Sequence, residues 1–335
     1  MKDYRLKENR HEYFTALYTM TLEHRISPGL VYLYMPALAE RLGWDDEQKL
    51  WFAFLNGLCQ NPITSLVMME QLPHCPLQDG GLLLAFEQWF NENWALLQFD
   101  TDRQKNKRST VQAIASYAAL VENAGEQVSL WADRSYEQCW QLASSIHSFG
   151  RLSTFSFLEY VHLNGLGPQC TDLMFNDKEG SRSHRNGMLF LHGYDELVWD
   201  KRINNGCTGK YKNFEAMCRQ MDNAARVFLF QFQAEHGGLP DIGNFTFESA
   251  LCQFKNAFFS RRYPGVYSDM ALERIEWAEA HGWERQAKVF RQIREEHLPQ
   301  WLRMECEDKG SALPVKQRAA MFAETGFPFR GEYFL

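Results

Sequence analysis

Ser153-Thr154-Phe155-Ser156-Phe157-Leu158-Glu159-Tyr160-Val161-His162-Leu163, followed by Asn164-Gly165-Leu166-Gly167-Pro168-Gln169-Cys170-Thr171-Asp172-Leu173-Met174-Phe175, is the stretch whose reading decides the fold. Ser153 starts a helix with Phe155, Leu158 and Val161 on its inner face, and that helix ends at Leu163. A Gly-x-Gly turn follows, and Pro168 then opens a short apolar helix through Leu173 and Phe175. Helix, Gly-x-Gly turn, helix is the helix-hairpin-helix pattern. Glycines let such a turn bring backbone close to a phosphate, and the N–H groups at the second helix's start then bind it. Asn164, Gly165 and Gly167 are therefore candidate DNA contacts. A glycine-rich connection is also how an ordinary helical bundle turns, and on the hairpin alone both readings stand.

The pattern is helical on either side. Asp45, Asp46 and Gln48 resemble a helix start, with Leu50, Trp51, Phe54, Leu55 and Leu58 following at helical spacing. Asn61-Pro62 reads as an N-cap with proline at the first helical position, opening a helix that stops at Pro73. Ser109 caps a helix carrying Ile114 and Ala118, and a further one runs from about Asp133 to Gly150. Met221, Phe228 and Phe232 mark a long helix ending at Gly237-Gly238. Asn244 opens another, with Phe247, Leu251, Phe254 and Phe258 on one stripe. Helices after Ser268 and Trp283 complete the series. The stretches 176–187 and 204–212 are rich in Gly, Asn and Ser and read as loops. Alternating strand segments are scarce, so the expected class is all-α.

Composition sets limits on function. Of 335 residues, 45% are hydrophobic, 23% charged and 14% aromatic. These are values of a globular chain whose rings mostly fill helical cores. No apolar run of about eighteen residues suggests a membrane span, and no apolar segment follows Met1-Lys2-Asp3-Tyr4-Arg5, so no secretory signal is expected. The formal net charge of -7 argues against non-specific coating of nucleic acid. Charge is uneven, however: no Lys or Arg occurs from Leu50 to Asp102, and Arg103, Lys105, Lys107 and Arg108 follow at once. That cluster is either a phosphate-facing patch or a solvated loop. The eight cysteines show no CxxC spacing, so free thiols are expected and no metal.

Two constellations carry chemistry. Many hairpin proteins of this kind are DNA glycosylases, with a catalytic Asp about twenty residues past the glycines. Here that zone reads Ser181-Arg182-Ser183-His184-Arg185-Asn186-Gly187, and the next carboxylate is Asp195. Cations and donors suit a bound phosphate better than a sugar cation; an exposed basic loop is the alternative. In the second constellation, Glu248, Cys252 and Lys255 fall on one helix face, followed by Arg261-Arg262-Tyr263-Pro264-Gly265. Glu248 suits a general base, and Lys255 with the arginines suits an anion. A helix-face salt bridge with a solvated turn is the plain alternative.

Four ordered blocks carry a resemblance. They are Phe149-Gly150-Arg151-Leu152-Ser153-Thr154-Phe155 with Leu158-Glu159-Tyr160; Gly180-Ser181-Arg182-Ser183-His184-Arg185-Asn186-Gly187; Phe245-Thr246-Phe247-Glu248-Ser249-Ala250-Leu251-Cys252; and Arg261-Arg262-Tyr263-Pro264-Gly265-Val266-Tyr267 with Asp269. Together they resemble the alpha-glutamyl/putrescinyl thymine pyrophosphorylases of phages, also called amino acid:DNA transferases, which are regarded as related to helix-hairpin-helix DNA glycosylases. The resemblance implies a glycosylase-like helical fold: a single catalytic domain over 1–335, with lobes of about 1–148 and 149–335 around a cleft. It implies thymidine hypermodification in phage DNA, in the cytoplasm of an infected bacterium. An upstream kinase phosphorylates 5-hydroxymethyluracil in double-stranded DNA, and the transferase replaces phosphate or pyrophosphate with the amine of a free amino acid.

On that resemblance the base flips out of the duplex, read by Asn186. The leaving phosphate rests on Arg182, His184, Arg185, Lys255 and Arg262. Glu248, Glu159 or Asp269 takes the amine proton, and Arg151 or Arg261 pairs with the amino acid carboxylate. Covalent catalysis by Cys252 is a further route. No cofactor is expected, because the substrate arrives activated. The alternatives are a glycosylase-like enzyme and a non-catalytic DNA-binding component of a modification complex.

Overall fold

Several helix starts are fixed by their own first residues. Asp45 Oδ1 accepts from the Gln48 backbone N–H at 2.8 Å, and Gln48 Oε1 accepts from the Asp45 N–H at 3.2 Å. Ser135 and Gln138 repeat this reciprocal cap, while Asn61 accepts from Ile63 and Thr64 ahead of Pro62. Each cap satisfies N–H groups that the first helical turn leaves without partners.

The computed structural model describes residues 3, 5–77, 79–100, 103–123, 125–177, 182–195, 214–257, 262–303 and 315–325. Its α-helices are α1 (Arg10–Glu23), α2 (Val31–Leu42), α3 (Asp46–Cys59), α4 (Pro62–Gln71), α5 (Gly80–Glu92), α6 (Gln104–Lys107), α7 (Thr110–Ala118), α8 (Gln127–Ala132), α9 (Tyr136–Ser144), α10 (Arg151–Leu163), α11 (Arg182–Leu191), α12 (Phe214–His236), α13 (Asn244–Ala257), α14 (Val266–Ala280), α15 (Glu284–His297) and α16 (Val315–Thr325). Among the described residues every regular element is a helix and none is a strand, as the sequence leads one to expect.

The chain divides into two units, each assembled from separated segments. One comprises Met1–Ile26, Cys170–Asp269 and Leu298–Leu335; the other comprises Ser27–Gln169 and Met270–His297. Each has an aromatic core. In the first, Phe14 of α1 meets Phe247 and Phe254 of α13 edge-on at 5.5 and 5.2 Å, and Phe228 of α12 at 5.3 Å. In the second, Phe54 of α3 stacks on Tyr117 of α7 at 4.1 Å, and Trp131 of α8 meets Phe157 of α10 at 4.9 Å. Such pairs add specific geometry to the burial of apolar area.

The hairpin is corrected. Gly165, at φ +72°, ends α10: its N–H donates to His162 O at 2.8 Å and the Leu166 N–H donates to Val161 O at 3.1 Å. This is a Schellman ending, in which a left-handed glycine lets the last carbonyls find donors. Gly167 is small for a different reason, since a Cβ there would lie 2.7 Å from Val161 Cγ1. No helix follows: residues 168–174 are irregular, and the next helix starts at Arg182. Both glycines thus serve the end of α10, and there is no second helix at Pro168 to offer its N-terminus to a phosphate.

The predicted 176–187 loop is corrected too, because Arg182 to Gly187 are helical and belong to α11. The 204–212 stretch lies outside the described residues. The basic cluster after Asp102 turns partly inward. Arg103 is 1% exposed and donates to the carbonyls of Gly57 and Leu152 and to Ser156 Oγ. Lys107 donates to the carbonyls of Trp94 and Leu97, and its burial lowers its pKa.

In the first unit α11 and α13 pack most closely, and Gly187 is the reason. A Cβ at Gly187 would lie 2.2 Å from the carbonyl oxygen of Leu251. Backbone cannot yield as a side-chain tip does, so only glycine permits this crossing. Gly187→Ala is expected to lower stability by about 2–3 kcal/mol, read as a shifted urea midpoint; an unchanged midpoint contradicts the close crossing.

Candidate active site

The α11–α13 crossing buries polar groups that an apolar core would not need. His184, on α11, is 1% exposed, and Glu248, on α13, is 4% exposed. His184 Nδ1 lies 3.0 Å from Glu248 Oε1, and Nε2 lies 2.8 Å from the carbonyl oxygen of Leu173. A carbonyl only accepts, so Nε2 carries a proton and donates it. Nδ1 then faces a carboxylate oxygen, and two bare lone pairs at that separation would repel. One further proton therefore lies between the ring and the carboxylate, whichever atom holds it. Cys252, four residues after Glu248, shares its face of α13. The ligating atoms of His184, Glu248 and Cys252 all lie within 4.8 Å of one another. Among the described cysteines Cys252 alone is partly exposed.

The neighbouring residue holds the frame. Arg185 is 2% exposed; Nη1 donates to the carbonyls of Phe175 at 2.8 Å and Asp177 at 2.9 Å. Its guanidinium carbon lies 5.2 Å from the centroid of the Phe214 ring. Cys218 Sγ also donates to Phe175 O, at 3.2 Å. Side chains from α11 and α12 thus fix the irregular segment before α11 through its backbone carbonyls, including the one that orients His184.

The other sequence candidates fall in different places. Asn186 is buried on α11, Arg182 opens that helix half-buried, and Lys255 is half-buried in the last turn of α13. Arg262 is half-buried, its guanidinium 5.6 Å from the Tyr267 ring. Arg261 lies outside the described residues. Asp269 is fully buried and accepts from Arg318 Nη1 at 2.8 and 3.1 Å and from Tyr263 Oη at 2.7 Å. That pairing anchors the first turn of α14.

Glu159, Arg151, Asn164, Gly165 and Gly167 all belong to the second unit. Glu159 is 3% exposed and accepts from Tyr32 Oη. Burial, with the Glu159 charge adding to it, pushes the neighbouring Tyr160 phenol up. Arg151 sits 5.7 Å from the Phe155 ring, and the Asn164 amide donates to Tyr160 O at 3.1 Å. Sequence reading missed Leu173, Tyr32 and Arg318. The first acts through its carbonyl and the other two from far along the chain, so no local pattern marks them.

Glu248→Ala is expected to cost about 3 kcal/mol, because it strips a buried imidazole of its partner. Glu248→Gln keeps a donor facing Nδ1 and is expected to cost less than about 1 kcal/mol. Urea denaturation of both variants checks the pair; equal losses would contradict the shared proton.

Comparison with known proteins supplies the family. A serinyltransferase of Salmonella phage ViI is 28% identical to this chain over 299 residues, covering 84% of this chain and 71% of that protein. No solved structure matches. A model of the amino acid:DNA transferase family matches residues 32–263. That span takes in α11, α13 and the whole His184, Glu248 and Cys252 cluster as well as the buried Glu159, and the chain accordingly belongs to the amino acid:DNA transferases.

Proposed function

We propose that the chain replaces the phosphate of a phosphorylated 5-hydroxymethyluracil in double-stranded DNA with an amino acid, and that α11 and α13 carry the reaction. The supporting observation is the buried His184–Glu248 pair, 3.0 Å apart, with a partly exposed thiol beside it. A structural core has little use for such a pair, whereas a substitution at carbon needs a group that takes a proton from the incoming nucleophile. Membership of a family named for amino acid transfer to DNA supplies the substrate classes.

The bond changes balance without a redox partner. The C–O bond at the 5-methylene breaks and its electron pair leaves with the phosphate, or with pyrophosphate if the kinase product carries two groups. Electron push from the uracil ring gives a transient exocyclic methylene, to which the amine adds. The proton released by the amine passes to the Glu248 carboxylate, with the proton shared with His184 held on the imidazole. Flipping the base out of the duplex exposes the methylene, which base stacking otherwise hems in.

Arg182, Lys255 and Arg262 are the half-buried cations assigned to the leaving phosphate; cations there stabilise charge that grows as the bond breaks. Asn186 is assigned to the base, and Arg261 to the amino acid carboxylate. Arg185 is a positioning residue in this scheme, since its Nη1 serves the carbonyls of Phe175 and Asp177. The phage relative's name makes serine the first amino acid to test. A kinase acting on 5-hydroxymethyluracil in DNA must precede this step.

Mass spectrometry of nucleosides tests the reading directly. DNA carrying the phosphorylated base, incubated with serine and the protein, is expected to yield a nucleoside in which phosphate is replaced by the amino acid. Glu248→Gln is expected to slow transfer by about 10²–10⁴-fold while DNA binding persists. Arg182→Ala is expected to slow transfer while leaving the melting curve unchanged. Base loss in place of transfer would mean a glycosylase. Unchanged DNA with every amino acid offered would mean a non-catalytic component.

A further inference from the structure

We propose that His184, Glu248 and Cys252 bind one divalent transition-metal ion, with zinc preferred. The three residues supply a nitrogen, an oxygen and a sulfur ligand, all within 4.8 Å of one another. Imidazole, carboxylate and thiolate together match zinc, and hard ions such as magnesium avoid sulfur. The absent CxxC spacing gave no warning, because the ligands come from two helices that are distant in sequence.

Orientation is the stronger argument. An imidazole that binds a metal through one nitrogen almost always donates its other N–H to a carbonyl or carboxylate, which fixes both ring and tautomer. His184 does this: Nε2 meets Leu173 O at 2.8 Å, leaving Nδ1 aimed at Glu248. The same segment is held two residues further on, where Arg185 and Cys218 donate to Phe175 O. Gly187, against Leu251, fixes α11 on α13 and with it the separation of His184 from the other ligands. The site is therefore preorganised from its outer shell inward.

A dication takes the place of the proton now shared by His184 and Glu248, and of the Cys252 thiol proton, so binding releases protons. Glu248 and His184 are buried while Cys252 is partly exposed, which gives the ion a way in. Among the described residues three protein ligands converge, which leaves one tetrahedral position for substrate or water, the composition of a zinc centre that does more than brace a fold. With an ion bound, Glu248 would serve as a ligand through one carboxylate oxygen and would keep the other for the proton of the incoming amine. Ion binding is read on the free full-length protein, so its outcome is separate from that of the transfer assay.

The test is metal analysis of the purified chain with a spectroscopic check of the ligands. About one zinc per chain is expected after expression with zinc. Cobalt(II) added to chelator-stripped protein is expected to give the intense near-ultraviolet band of a thiolate–cobalt bond. Cys252→Ser is expected to lose that band and to weaken zinc binding by at least about tenfold, with an unchanged melting curve in the absence of metal. Cys139→Ser, in the second unit, is expected to keep both. Wild-type protein that takes up neither zinc nor cobalt overturns the proposal without recourse to a variant. So does a cobalt band that survives in Cys252→Ser.

Discussion

The crossing of α11 on α13 at Gly187 is the constraint on which the candidate site depends. A helix can approach another's backbone this closely only where no Cβ intervenes, and the Leu251 carbonyl occupies the space a side chain would need. The approach brings a histidine from one helix within hydrogen-bond reach of a carboxylate from the other. Burying such a pair costs solvation, and the cost is met only when each polar atom finds a partner. His184 meets this demand on both ring nitrogens. Packing and acid–base chemistry are here two aspects of one contact.

Several buried cations share the same logic. Arg10 pairs with Asp195 at 2.5 and 3.0 Å, and Arg318 grips Asp269. Arg103 and Arg185 reach main-chain carbonyls, Arg103 a serine hydroxyl as well. Guanidinium has several donors in a fixed plane and can satisfy more than one acceptor at once. Among the described residues these side chains join segments that are distant in sequence. The sequence clusters that look like phosphate binders are in part this internal scaffolding.

Helices were legible wherever two signals agreed. Asp45 with Gln48, and Asn61 with Pro62, pair a capping residue with apolar spacing, and α3 and α4 start where those residues say. Glycine was the ambiguous letter. Gly165 and Gly167 fit a turn that approaches phosphate, yet they serve a helix ending and a contact with Val161. Gly187, in a stretch whose Ser, Asn and Gly suggested a loop, is a helix-crossing residue. The same letter meets three different steric demands, and only the three-dimensional neighbour distinguishes them. Within the site, Glu248 and Cys252 were legible as one helix face, and His184 as part of a donor-rich segment. The bond joining them was not, because helix faces reveal periodicity but not which face meets which. Interleaved segments made the two units equally opaque to a reading from one end of the chain to the other.

The irregular segment from Leu173 to Asp177 is held in part by its carbonyl oxygens, which accept from His184, Arg185 and Cys218. Every amino acid presents the same oxygen. Evolution is thus free to rewrite the outward-facing letters of this stretch, such as the half-exposed Met174 and Asp177, while the geometry that aims the imidazole is inherited unchanged. In distant relatives the surest marks of that geometry would be the donors on the facing helices, and the strand of main chain they hold would look like noise.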